Sequence, residues 1–274
     1  MRVSLYHRLA GAWWAVLGAG DAFEDLSGAG TVARSLWQGF IATGGFADVP
    51  PDVLLELPEC PLMGAFGLLP VLLFYHEDPL YLGDRLRQFG AGDRLCLEFG
   101  RIVSACLRER LDIAGLPQWL AVHSELSPEG KTAFYQAFLT EHCTWRAWCT
   151  RVPALAITPA EQEILLIYSA LIWGRGQGQL CRALVASASP MVQTWVWVLL
   201  GCIRGDRQLP ILRQLEPKHQ QQIDQEIRQF WGQWSGLPAK NQLQLGQIPV
   251  IASCQALQTR PTPSLISQRH LNAH

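Results

Sequence analysis

The chain has 274 residues, carries 22 basic against 23 acidic side chains, and is only 16% charged. A balance this close to neutral leaves no basic footprint for nucleic acid, and the longest apolar runs, 65–75 and 192–203, fall short of the about 20 residues a membrane-spanning helix needs. With 11 tryptophans and a charged fraction below the ~25% usual for soluble domains, much of the surface is uncharged or covered by a protein partner.

Residues 8–23, RLAGAWWAVLGAGDAF, are apolar on nearly every side, which predicts a buried helix at the centre of the molecule. Ala10, Gly11, Ala12, Ala15, Gly18 and Ala19 recur at helical spacings that let neighbouring backbones approach, while Trp13 and Trp14 need room on other faces. The run ends in Gly20-Asp21, and Glu24 and Asp25 follow, so three carboxylates cluster where this post reaches the surface. They also argue against a cleaved secretory signal, despite Arg2, His7 and Arg8 ahead of the apolar run. A turn over 26–30 and a Thr31 cap open the second helix, with Val32, Leu36, Trp37 and Phe40 at helical spacing. Pro50-Pro51 starts a short helical stretch that Pro58 and Pro61 interrupt. A long buried helix follows over 61–79; Pro70 either kinks it or marks a first turn, and His76, Glu77 and Asp78 form a charged stop.

From Pro79 the pattern is amphipathic through Leu80, Leu82, Leu86 and Phe89, and it breaks at 90–92. The next helix sets Leu95, Phe99, Val103, Cys106 and Leu107 on one face and Arg101, Arg108 and Arg110 on the other. A short helix covers 117–123. Ser127 and Thr158, each followed by proline, read as caps: the first of a helix running to about Thr150, the second of a helix that Glu161 opens as a capping box. Residues 176–189 form one helix, and Pro190 restarts the chain into a second helix of buried character, where Trp195 and Trp197 cannot share a face. Residues 218–234 are polar, with Ile223, Ile227, Phe230, Trp231 and Trp234 spaced to pack on the outside and close the bundle. Beyond Gly236 no period is sustained. The expected architecture is all-α, a single compact multi-helix bundle over 1–236 followed by an extended or disordered tail over 237–274.

The eight cysteines are scattered through apolar helical contexts, which predicts reduced core thiols in a cytoplasmic protein rather than a disulfide framework. Glu141, His142 and Cys143 with Trp145, Trp148 and Cys149 lack the close pairs of zinc motifs and read as packing residues. His123-Ser124-Glu125 reads as a polar loop without a nucleophile motif, and GRGQGQ over 174–179 as a turn between helices.

Two stretches resemble one family. RLAGAWWAVLGAGDAF is similar to the opening helix of ADP-ribosylglycohydrolases, R-x-x-G-x-x-x-G-x-x-x-G-D-A, and ALVASASPMVQTWVWVLLGCIRGDRQLP to their late segment, where an alanine-rich helix runs into Gly-Gly-Asp-Thr-Asp-Thr and an apolar helix. PLMGAFGLLPVLL is similar to the central Gly-Asn-Gly-x-x-Met-Arg-x-x-Pro segment, so the likeness covers roughly residues 5 to 235. The resemblance implies an all-helical, ADP-ribosylglycohydrolase-like fold. Active members hold two magnesium ions, and hard cations of this kind require carboxylate oxygens.

Those oxygens are missing from the aligned positions. Ala188 and Pro190 stand where the late aspartates belong, and between Ala42 and Pro51 only Asp48 is acidic. The resemblance therefore implies a fold with its site emptied: no catalytic residue, no metal and no cofactor, and a vestigial ligand pocket of Asp21, Glu24, Asp48, Ser187 and Ser189. The expected role is that of a binding, regulatory or assembly partner of another protein. Two alternatives stay open: an active magnesium-dependent ADP-ribosyl hydrolase with a diverged site, and an unrelated helical scaffold.

Overall fold

Helix follows helix through the computed structural model, which describes residues 3–22, 27–44, 46, 60–89, 94–108, 111, 113–141, 143–206 and 217–235. Among the described residues there is no strand, and no helix is long and apolar enough to cross a membrane. The fold class is all-α, as the periodicity predicts.

Helix α1 (Leu5–Ala22) is the central post. Leu9, Ala10, Ala12, Trp13, Trp14, Ala15 and Val16 are all buried, which is why the sequence there shows no polar face. Its principal neighbour is α12 (Pro190–Arg204), the other helix apolar all round. The two run antiparallel and touch backbone to backbone at Gly11 and Gly201. A Cβ built on Gly201 would lie 2.3 Å from the Gly11 carbonyl carbon, and one on Gly11 would lie 2.8 Å from the Gly201 oxygen. Gly205, at φ +78°, ends α12 and lies against His7. A side chain at either crossing glycine would have to displace main chain.

Around this pair stand α2 (Ser27–Thr43), α3 (Pro61–Gly67), α4 (Leu69–Phe74), α5 (Pro79–Gln88), α6 (Arg94–Leu107), α7 (Leu116–His123), α8 (Pro128–Tyr135), α9 (Trp145–Arg151), α10 (Pro159–Trp173), α11 (Gly178–Val185) and α13 (Pro217–Ser235). α6 and α10 pack on α12, and α2 and α13 pack on the outer side of α1. Aromatic rings join the layers. Trp13 of α1, Trp37 of α2 and Phe230 of α13 form a three-ring stack, both centroid separations being 3.9 Å with rings within 7° of parallel. Phe99 of α6 stacks on Trp195 of α12 at 3.9 Å, and the Trp195 indole N–H donates to the Leu62 carbonyl at 3.1 Å. The outward spacing read in residues 218–234 is matched by buried Ile227, Phe230, Trp231 and Trp234.

Several expectations are corrected. Residues 27–30 are helical rather than a turn, because Ala29 is fully buried and its packing outweighs the low helix propensity of the flanking glycines. The 61–79 helix is two, broken at Leu68, with Pro70 in the first turn of α4. The helix from Ser127 stops well short of Thr150. α8 passes into a π turn (Gln136–Thr140), and Thr144 caps a new helix by accepting from the Ala147 N–H. α11 ends at Val185, before the alanine-serine run does. Leu80, placed on the apolar side of its helix, is 86% exposed, while Leu82 and Leu86 are buried. His76 belongs to the core rather than to a charged stop, its Nδ1 2.6 Å from the Leu73 carbonyl oxygen and its ring stacked on Trp234. The short stretch predicted near Pro51 and the tail over 237–274 lie outside the described residues.

Gly201→Ala is expected to destabilise the fold by about 3 kcal/mol or more, since the added methyl meets backbone. Gly39→Ala, in the interior of α2 with open space around it, is expected to add about 0.5–1 kcal/mol. Urea unfolding of the two variants beside the parent chain measures both.

Candidate functional site

Of the residues expected to form the vestigial pocket, Asp21 belongs to the last turn of α1 and Ser189 precedes α12, and the two helices pair antiparallel. The Asp21 side chain, Glu24, Asp25 and Asp48 lie outside the described residues. Ser187 is exposed in the turn between α11 and α12. Ser189 is the N-cap of α12: its Oγ accepts from the Val192 N–H at 3.3 Å, and its hydroxyl donates to Glu163 Oε1 at 2.7 Å.

Glu163, from the first turns of α10, is the residue that the sequence reading missed here. It brings one carboxylate to the place where the resemblance expects two aspartates, yet from a different helix. Magnesium requires several oxygen ligands in near-octahedral array. Of the described groups there, the Glu163 carboxylate and the Ser189 hydroxyl meet, and that hydroxyl is committed to the carboxylate and to the cap. Among the described residues no group of three or more His, Cys, Asp and Glu side chains converges as a metal centre would need.

A second polar cluster lies within the bundle and was not foreseen. Glu98 of α6 is fully buried and takes three donors: the Glu125 N–H at 2.6 Å, the Tyr168 hydroxyl at 2.7 Å and the Ser124 side chain. Two residues along, the Ser127 N–H donates to Glu161 Oε1 at 2.6 Å, and Arg94 donates to the same oxygen at 3.0 Å. Thr158 caps α10 as expected, by accepting from the Glu161 N–H, but the Glu161 carboxylate serves the 124–127 segment instead of closing a reciprocal capping box. The polar loop expected at 123–125 is thus tied inward, with Ser124 buried. Burial raises the Glu98 carboxyl above its ordinary value in spite of its donors, and pushes the Tyr168 phenol well above its own. Glu98 was legible in principle, because it falls on the Leu95, Phe99 and Ile102 stripe of an otherwise apolar face.

A third cluster joins α1, the end of α12 and α13. His7 Nδ1 lies 3.1 Å from Asp206 Oδ1, Arg228 hydrogen-bonds Tyr6, and Trp14 hydrogen-bonds Asp224. Burial raises both the Tyr6 phenol and the Asp224 carboxyl. This cluster ties α13 and the residue after α12 to the post. Burial pushes the Cys106 thiol up to about 12 and the Cys181 thiol up to about 11, so neither supplies a thiolate nucleophile. Among the described residues all seven cysteines are free, and Cys149 lies on α9 while Cys143 lies in the connection before it. The turn read at 174–179 links α10 to α11, with Arg175 and Gly176 at positive φ.

Ser189→Ala is expected to cost about 1 kcal/mol through the lost cap, whereas Ser187→Ala on the exposed turn is expected to stay within about 0.5 kcal/mol of the parent; thermal unfolding of both variants tests the contrast. No protein-family model, curated protein or solved structure matches this chain.

Proposed function

We propose that this protein is an ADP-ribosylglycohydrolase-like bundle that has given up metal-dependent hydrolysis and acts by binding another protein, in a regulatory or assembly role. The observation that carries the reading is the state of the α12 N-terminus. The two stretches with family resemblance supply helices that meet backbone to backbone, and at the positions where the family's metal ligands would lie, Ala188 and Pro190 stand in place of aspartates and Ser189 is spent as a helix cap. A neutral hydroxyl does not offset the dehydration of magnesium. The sparse charge and exposed apolar side chains such as Leu80 and Val122 support a surface that meets a partner.

One observation favours the second reading, an active hydrolase with a diverged site: Glu163 places a carboxylate beside Ser189. Calorimetric titration of the full chain with magnesium chloride separates the two. The binding-protein reading expects no heat of micromolar binding in the parent chain and no difference in Glu163→Gln, Asp21→Asn or Asp48→Asn. Micromolar binding that any of these substitutions abolishes would instead establish a working metal site.

A further inference from the structure

We propose that Glu98 is a proton-operated latch: with its carboxyl protonated the 124–127 segment stays closed on α6 and α10, and as the proton leaves the segment opens toward solvent. The proposal is independent of the family reading. Its basis is the pair of buried carboxylates that grip this segment by main-chain N–H groups two residues apart, Glu98 on Glu125 at 2.6 Å and Glu161 on Ser127 at 2.6 Å. Between the two grips Leu126 is buried, its N–H donating to Ser124 Oγ at 3.0 Å, and it lines a shallow groove with Pro117, Leu120, Phe134 and Tyr135. The segment also joins α7 to α8, so the latch sets how the surface bearing exposed Val122 and Tyr135 is held.

The two grips differ in charge balance. Glu161 has the Arg94 guanidinium as counter-ion. Among the described residues the donors to Glu98 are an N–H and two hydroxyls, all neutral, and the Glu125 carboxylate acts on it as a like charge. Arg101 is committed to Glu125 and to the His123 carbonyl. Elsewhere on the packed faces, Cys106 acts on Tyr168, Cys202 is a buried thiol, and Arg8 of α1 donates to the Cys106 carbonyl. A buried anion without a cation is stabilised when water reaches it, and opening the segment admits water.

The sign follows from linkage. In the closed state burial lifts the Glu98 carboxyl above its ordinary 4.5, and in the opened state water restores the ordinary value. The closed form therefore holds the proton more tightly. Its advantage is complete below the ordinary carboxylate range and is lost as pH rises through the closed-state value.

The test is amide hydrogen exchange of the full-length chain, followed by NMR and corrected for intrinsic rates, between about pH 4 and about pH 8. Protection at Glu125 and Leu126 is expected to fall on the order of tenfold as pH rises, and to be high and flat in Glu98→Gln. Flat protection in the parent chain overturns the latch, as does an equal fall in Glu98→Gln. Tyr168→Phe removes one donor from the anion, so it moves the midpoint of the fall upward; an unmoved or lowered midpoint also overturns it. That variant keeps the test open if Glu98→Gln does not fold. His123→Gln and Glu161→Gln retain the fall at Glu125, and its loss in either assigns the proton to another group and overturns the proposal.

Discussion

A crossing at which two helices meet with no side chain between them sets the geometry of this protein. Gly11 and Gly201 bring the backbones of α1 and α12 together, and every larger residue on both helices is thereby pushed to the flanks. Trp13 and Trp14 leave one helix toward the outer layer, and Trp195 leaves the other toward α6. That is why both helices are apolar all round: each is clasped by its twin on one face and by other helices elsewhere. The contact also fixes register, and so decides that His7 reaches Asp206 at one end and that α1 finishes where α12 starts at the other.

Polar groups in so apolar an interior are few and organised. Glu98 and Glu161 use a segment of main chain that would otherwise be buried with unmet N–H groups, and in return the segment supplies the donors the carboxylates need. Trp195 and Trp234 meet backbone carbonyls, whereas the indole N–H groups of Trp13, Trp37 and Trp148 find no partner among the described residues. For these the large apolar ring outweighs the single lost hydrogen bond.

How far the chain could be read before its structure follows from what each signal reports. Periodicity and proline-flanked caps report local conformation, so the buried character of α1 and α12 and the caps at Ser127 and Thr158 were legible. Ser189 carries the same serine-proline signature, yet family resemblance drew attention to its hydroxyl as a ligand rather than as a cap. The break near Thr144 was hidden because no proline or glycine marks it and the apolar pattern continues through the π turn. Glu163 beside Ser189, and Glu98 beside Tyr168, are partnerships across 26 and 70 residues, which no local pattern encodes. Of the five residues proposed for the pocket, the structure describes the surroundings of Ser187 and Ser189 alone, and it ties Ser189 to stability.

The three-ring stack has an optical consequence. Two indoles held nearly parallel at 3.9 Å share their electronic excitation, which splits the absorption band and gives circular dichroism a paired positive and negative signature that isolated tryptophans lack. The pair bridges α1 and α2, with Phe230 of α13 lying against its outer ring. The protein thus carries an intrinsic chromophore whose exciton signal exists only while its outer helices are seated on the central post.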